Sequence, residues 1–162
     1  MQLLDQIASM HTGAAWNAPL CITDFDLVAR TIADQLDVPV VLISMLHGDA
    51  HVFVGAHGVS KESADHVTPL CLEVVTLQRP VLMQDARRHL VMGERDDRGI
   101  PLVSFMGLPI THRDGTCLGA VSTFREEHRC WHGPDLVVLR GFVALLSALF
   151  AERRAGTGRD RV

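Results

Sequence analysis

The sequence predicts an α+β fold, in which a central antiparallel sheet carries helices on one face. Residues 102–124 form two apolar runs around Asp114-Gly115, a strong hairpin signal because a tight turn needs positive φ at its central positions. Residues 38–57 repeat this arrangement, with two apolar runs and a short turn between them. Residues 136–150 carry apolar side chains three and four positions apart, as an amphipathic helix requires.

The central hairpin at 102–124 carries apolar residues on both of its faces. In the first run, Met106 and Leu108 alternate with Phe105, which is also apolar. Such a run is typical of a strand that is covered on both sides, because a strand with one wet face alternates apolar and polar residues. We therefore expect helices on one face of the sheet and a pocket on the other.

Two shorter helices are predicted from their start and stop signals. Thr23 is the expected N-cap of a helix that ends near Asp37. Thr68-Pro69 predicts another start, since threonine can cap and proline at the first helical position loses no hydrogen bond. Residues 1–11 carry a short helical stripe, and residues 85–100 form a charged segment that is either a lid or a solvated connection.

The chain length, net charge and apolar content describe one soluble domain with no sign of a nucleic-acid or membrane partner. The chain has 162 residues and a net charge of −4. No apolar run reaches the ~20 residues of a membrane span, and no signal sequence is evident. The four cysteines are far apart, so we expect reduced thiols and a cytoplasmic protein. We predict a single domain over 1–162, with its core at about 20–155 and a frayed tail at 156–162.

Several local strings, in this order, resemble the GAF domain family. The resemblance covers residues 20–155 and rests on PLC at 69–71, QRP at 78–80, VLMQDAR at 81–87, GLPI at 107–110, DGTCLGAVSTF at 114–124 and WHGPDLVVL at 131–139. Each string is weak by itself, but together they are fairly specific. The resemblance implies an antiparallel sheet of about six strands, with helices on one face and a loop-covered small-molecule pocket on the other. It also implies pairing through the terminal helices, and the two apolar stripes of residues 136–150 support such pairing independently.

The predicted ligand site lies between the central hairpin, the helix that begins at Thr68 and the 85–100 segment. Such sites are mostly apolar, with a few converging polar groups. Hydroxyl groups, apolar walls and one soft thiol are expected there, and the predicted ligand-binding residues are Phe53, Cys71, Val75, Ser104, Phe105, Met106, Ser122 and Thr123.

Cys71 admits two interpretations. Close to the start of a helix, its thiol would have a lowered pKa and would be reactive. Alternatively, it is a small buried apolar residue, as most free cysteines are. The reactive interpretation leads to a rival function, a thiol enzyme that resembles the free methionine-(R)-sulfoxide reductases of the GAF family and pairs Cys71 with Cys117 or Cys130.

No metal ion is predicted, and the sequence leaves the identity of any cofactor unknown. His128, Cys130 and His132 form an HxCxH string, but a zinc site normally needs four ligands and no fourth is evident nearby. Bilin attachment in the family uses a histidine beside the linking cysteine, whereas Cys71 is followed by Leu72. Haem binding stays open, because six histidines could serve as axial ligands and no spacing distinguishes one of them: His47, His51, His57, His66, His89 and His112.

The sequence thus favours a cytoplasmic sensory or regulatory module without catalytic residues. We expect it to bind a small molecule of unknown identity, to pair as a homodimer, and to act in trans on a kinase or another signalling protein. A purely structural dimerisation module with a filled pocket is a third hypothesis.

Overall fold

The computed structural model describes residues 24–60, 63–86 and 103–156. In chain order they form α1 (Phe25–Leu36), β1 (Val40–His47), β2 (Ala50–His57), a 3-10 helix (Ser63–Val67), α2 (Thr68–Leu77), β3 (Val81–Met83), β4 (Ser104–Thr111), β5 (Cys117–Arg125) and α3 (Gly133–Gly156). The predicted helical stripe at 1–11, the loop at 12–22, most of the charged segment at 85–100 and nearly all of the tail lie outside the described residues.

The sheet is antiparallel throughout, which confirms the predicted fold class. Its described strands lie in the order β2-β1-β5-β4-β3, so the central hairpin β4–β5 is joined to the hairpin β1–β2. Residue Val121 of β5 shows the arrangement, since it pairs with Ile43 on one side and Leu108 on the other. The described sheet has five strands, one fewer than the resemblance implies.

The turn of the central hairpin differs from the predicted tight turn. The last strand pair is Thr111 with Cys117, so five residues form the loop. Gly115 has a positive φ of 86°, whereas the φ of Asp114 is not positive. The Asp114 carboxylate instead accepts a hydrogen bond from the backbone N–H of Thr116 at 2.9 Å. A side chain therefore stabilises a wider loop than the Asp-Gly pair suggests.

Helix α1 begins at an aspartate one position after the predicted cap. The Oδ1 atom of Asp24 accepts hydrogen bonds from the N–H groups of Asp26 and Leu27, both at 3.1 Å, so Asp24 and not Thr23 is the N-cap. The helix ends at Asp37, whose φ of 51° is left-handed. The buried side of α1 carries apolar residues at helical spacing: Phe25, Val28, Ala29, Ile32, Ala33 and Leu36.

Helices α1 and α3 cover one face of the sheet, which we call the long-helix face. Leu139, Leu146 and Phe150 of α3 are buried there, and the Phe150 ring meets the Phe25 ring edge-on at 5.5 Å between centroids. The strands contribute alternate side chains to this cluster, namely Val41, Ile43, Val54, Met106, Leu108, Ile110, Leu118 and Val121.

Helix α2 and the 3-10 helix cover the opposite face, which we call the short-helix face. Its buried cluster consists of Val40, Leu42, Phe53, Ala64, Val67, Leu70, Cys71, Val74, Val81, Ala86, Phe105, Ala120 and Phe124. Helices thus lie on both faces, and α2 lies on the face where the pocket is predicted. The apolar residues on both sides of β4 and β5 are explained by these two clusters.

The long helix α3 buries only part of its apolar surface. The predicted stripe through Leu139 and Leu146 faces the core. In the second predicted stripe, Val138 and Phe142 are partly buried against the same cluster, whereas Leu145 is 42% exposed; the neighbouring Val137 is 68% exposed. Among the described residues, the Gly133–Ala151 part of this helix is the one stretch long and apolar enough to cross a membrane, by length and composition alone. The core of a soluble protein passes the same test, and three α3 side chains do belong to the core.

Candidate functional site

Helix α2 places the predicted thiol against the sheet. Its N-cap is Val67, which makes no side-chain hydrogen bond, so Thr68 does not cap the helix as predicted, although Pro69 does occupy the first turn. The inward side of the helix carries Leu70, Cys71 and Val74, all buried. The thiol therefore points into the cluster of the short-helix face and away from solvent.

The environment of Cys71 contradicts the reactive interpretation. Burial raises the pKa of its thiol to about 12, and the opposing contributions of the Ser122 hydroxyl and the backbone are smaller. A thiol with that pKa is almost entirely protonated near neutral pH, and the thiolate is the nucleophile. Cys71 thus behaves as a small buried apolar residue, because the loss of water outweighs the helix N-terminus.

Glycine at position 107 permits α2 to lie close to β4. A Cβ atom there would lie 2.4 Å from Cγ2 of Val74 and 2.7 Å from the ring of Phe105. These distances are too short for a real side chain, so any residue larger than glycine would separate helix and strand. The middle of the short-helix face is therefore closely packed.

The structure divides the predicted site residues between the two faces. Phe53, Cys71 and Phe105 are buried in the short-helix cluster, Val75 packs against it, and Ser122 lies beside the Cys71 thiol. Ser104, Met106 and Thr123 alternate with these residues and lie on the long-helix face. One small molecule on one face of the sheet cannot contact all eight side chains.

The hydroxyls on the long-helix face are already bonded within the protein. Ser104 donates to the carbonyl oxygen of Glu127 at 2.8 Å, and Thr123 donates to that of Met106 at 3.0 Å. Met106 itself is fully buried beneath the long helices. The structure therefore gives these three residues roles in folding and does not bring them to the predicted site.

His51 is a candidate that the sequence prediction did not single out. It lies in β2, two residues before Phe53, and the two rings meet edge-on with 5.2 Å between their centroids. Both ring nitrogens are buried without a hydrogen-bond partner. Burial lowers the pKa of the imidazole from its ordinary value of 6.5. The period of two in a strand places His51 on the face of Phe53, and this signal was present in the sequence.

Ser122 is the second polar group without a partner on this face. Its hydroxyl is buried between Ala120 and Phe124 in β5, and it faces the Cys71 thiol without a well-formed hydrogen bond. Buried hydroxyls in folded proteins are usually hydrogen-bonded, because an unmet donor or acceptor costs about 1–3 kcal/mol. The short-helix face therefore has unused hydrogen-bonding capacity.

The other cysteines and the HxCxH string do not assemble into a site. Cys117 is half-buried at the start of β5, Cys130 is exposed before α3, and both are free thiols. His128 lies 3.9 Å from a carboxylate oxygen of Asp85. Within the described ranges, no group of three or more histidine, cysteine or acidic side chains is arranged to hold a metal ion.

A separate depression lies where α1 ends. It has a volume of about 320 Å³ and is lined by Asp37, Val38, Pro39, Arg125, Glu126 and Glu127. Its arginine is already engaged, since Arg125 contacts the carbonyl and the carboxylate of Asp37. None of the predicted site residues lines this depression.

In the described residues, a five-stranded antiparallel sheet thus lies between two helical layers. Residues 22–149 match the GAF domain family. The chain belongs to this family. No curated protein matches the chain.

Several solved structures share the fold. The GAF domain of a phosphoenolpyruvate-protein phosphotransferase from Acinetobacter is 18% identical, with a TM-score of 0.70 and 95% of each chain covered. A domain assigned to a two-component sensor histidine kinase protein from Sinorhizobium meliloti is 12% identical, with a TM-score of 0.64, over 85% of this chain and 95% of that one. The type II free methionine-R-sulfoxide reductase from Thermoplasma acidophilum is 15% identical, with a TM-score of 0.62, over 78% and 89%. At these identities the similarity shows the fold alone.

Proposed function

We propose that this GAF domain is a cytoplasmic sensory and regulatory module that binds a small molecule on the short-helix face. It acts as a homodimer and signals to a partner such as a kinase. Family membership supports the regulatory role, since GAF domains commonly bind small molecules and act with signalling proteins. Two of the similar structures come from a phosphotransferase and a protein assigned to the sensor kinases.

One observation carries the choice of face. Within the described part of the chain, all buried side-chain nitrogen and oxygen atoms that lack a partner belong to His51 and Ser122. Both residues lie on the short-helix face, whereas the hydroxyls of Ser104 and Thr123 on the other face are bonded. A ligand with polar groups gains free energy where buried partners are unmet, because their desolvation has already occurred on folding.

The chemistry of His51 indicates which ligands fit. Because its pKa is lowered, the imidazole is neutral at physiological pH, so one ring nitrogen donates a hydrogen bond and the other accepts one. The adjacent buried cluster is apolar, with the Phe53 ring against the imidazole. An uncharged small molecule with both a donor and an acceptor matches this environment better than a free ion does.

Native mass spectrometry of the protein purified from its own host tests the proposal. We expect additional mass on the wild-type protein, loss of that mass in His51→Phe, and its retention in His57→Phe, a matched control at the other end of β2. Wild-type protein without additional mass would instead support a structural module with a filled pocket. Equal retention by both variants would exclude His51 as a ligand contact.

The thiol-enzyme alternative gains no support from Cys71, which is fully buried and has a raised pKa. An assay of free methionine sulfoxide reduction with wild type and Cys71→Ser separates the two hypotheses. We expect no reduction by either protein. Reduction by the wild type that disappears in Cys71→Ser would require a rearrangement that exposes α2, and it would replace the sensor proposal.

The exposed side of α3 is the proposed subunit interface. Val137 and Leu145 are exposed there, although the same helix has Leu139 in the core. Sedimentation velocity over a range of concentrations tests it with Leu145→Glu, which we expect to yield folded monomers. The control is Leu27→Glu, because Leu27 is 55% exposed on α1 and its replacement leaves the proposed interface intact. A wild-type protein that is monomeric throughout would refute pairing.

A further inference from the structure

Arg129 joins the end of one helix to the start of another. Its Nη1 atom donates to the carbonyl oxygens of Leu36 at 2.8 Å and Asp37 at 3.4 Å, at the C-terminal end of α1. Its Nη2 atom donates to Oδ1 of Asp135 at 2.8 Å, in the first turn of α3. A cation at a helix C-terminus and an anion at a helix N-terminus are both favoured by the helix dipoles. The planar guanidinium makes both contacts at once, as the point charge of a lysine cannot.

Asp135 completes the start of α3. Its second oxygen, Oδ2, accepts the backbone N–H of His132 at 2.9 Å. Both carboxylate oxygens are therefore used, and the side chain is only 14% exposed, against 21% for Arg129. An ion pair this protected from water is less screened than one on the open surface. The first turn of α3 thus depends on the position of Arg129.

Trp131 connects this arrangement to strand β3. The Arg129 guanidinium carbon lies 4.9 Å from the centre of the Trp131 ring, a cation–π distance. The indole N–H donates to the carbonyl oxygen of Met83 at 3.3 Å, at the last residue of β3. Trp131 packs against the long-helix cluster, whereas Met83 packs against the short-helix cluster. This hydrogen bond therefore links the two faces around the edge of the sheet.

We propose that Trp131, Arg129 and Asp135 act as a joint that couples the position of strand β3 to the first turn of α3. Strand β3 suits this role, because it has three residues and pairs only with β4 among the described strands. A short edge strand opens more readily than the central strands do. The joint is a property of the protein without ligand. Only its use in signalling, from the short-helix face to the α3 dimer, rests on the proposed function.

Amide hydrogen exchange of the ligand-free full chain tests the joint, because a substitution in α3 is made and its effect is measured in β3. In Asp135→Ala, we expect exchange of the Val81–Met83 amides to be about fivefold faster, although the hydrogen bonds of Asp135 in the described residues go to Arg129 and His132 and reach β3 only through Arg129 and Trp131. The β1 amides should be unchanged. In Asp37→Asn, which removes an exposed carboxylate at the same end of α1 and keeps a residue that tolerates left-handed φ, β3 should exchange as in wild type.

A double variant decides whether the effect follows this route. If the joint is correct, Asp135→Ala adds nothing to the faster β3 exchange of Trp131→Phe, which keeps the ring and removes the indole donor. Faster exchange confined to the first turn of α3 would overturn the proposal, because the Arg129–Asp135 pair would then stabilise only the start of that helix. Additive effects on β3 would overturn it as well. If Asp135→Ala fails to fold, Arg129→Lys takes its place with the same expectations. The exchange experiment uses no ligand. Its outcome therefore tests the joint independently of the mass-spectrometry test of the ligand site.

Discussion

On the long-helix face, the buried hydroxyls of Ser104 and Thr123 each donate to a backbone carbonyl, whereas on the short-helix face Ser122 and His51 have no partner. Both faces are otherwise apolar, and both carry helices. The difference shows that burial alone does not identify a site in this protein. Among the described residues, the buried hydroxyls of the long-helix face have partners, and the short-helix face retains buried polar atoms without one.

The core of the long-helix face should give the largest effect on stability. Leu139→Ala removes a fully buried side chain of α3, and we expect a loss of about 3 kcal/mol in the free energy of unfolding, from lost burial plus the cavity. The same truncation at exposed Leu145 should cost less than about 0.5 kcal/mol in a monomer. Urea unfolding at low protein concentration measures both. Equal losses would mean that α3 does not pack as described.

The neighbouring residues Ser122 and Thr123 test the two faces directly. Thr123→Val removes a buried hydroxyl that is bonded to Met106, and we expect a loss of about 1 kcal/mol. Ser122→Ala removes a hydroxyl without a partner, and its effect should be close to zero or stabilising. Chemical denaturation of both variants provides the values. The distinction between the faces fails if Ser122→Ala is the more harmful change.

His51 should make stability depend on pH. Because its pKa is lower in the folded than in the unfolded protein, the unfolded chain binds more protons, and stability falls as the pH drops below about 6.5. Above that pH the stability from neutral His51 is fully present. In ligand-free His51→Phe, the melting temperature should vary less between pH 7 and a pH below 6.5. It should also be modestly higher, because the variant has no buried ring nitrogens without a hydrogen-bond partner. An unchanged pH profile would contradict a buried neutral His51.

The smallest predicted effect is a difference between two cysteines in their reactivity toward a thiol reagent. With a pKa of about 12, Cys71 is a thiolate in about one molecule in ten thousand at pH 8, whereas Cys130 is exposed. A thiol reagent should therefore modify Cys130 rapidly and Cys71 only after unfolding, as peptide mass spectrometry would show. Rapid modification of Cys71 in folded protein would indicate that the short-helix face opens.

Much of the fold followed from local sequence patterns, and the site did not. The hairpins, the antiparallel sheet and the three helices were predicted from turns, periodicity and the proline at position 69. The side of each strand residue could not be read in β4, because Phe105 and Met106 are both apolar and each face is covered. The residues Ser104, Met106 and Thr123 were placed with Cys71 for this reason, although they lie on the other face.

His51 shows a second limit, since its spacing in the sequence indicates a face of the strand but not its burial. Its spacing of two from Phe53 places both on one face, but a histidine near a turn has no feature in sequence that distinguishes it from a surface residue. Only the packed structure shows that both ring nitrogens lose water and find no partner. The pKa of Cys71 is a similar case, because the helix N-terminus is a local feature and burial is not.

The sequence by itself determined which segments become strands and helices, since turn chemistry and side-chain period act over a few residues. The tertiary structure decided which face each polar group joins, which hydroxyls are bonded, and how Arg129 and Trp131 connect α1, β3 and α3. These properties depend on contacts between residues far apart in the chain. Their energies arise from desolvation and geometry, which exist only once the elements have packed together.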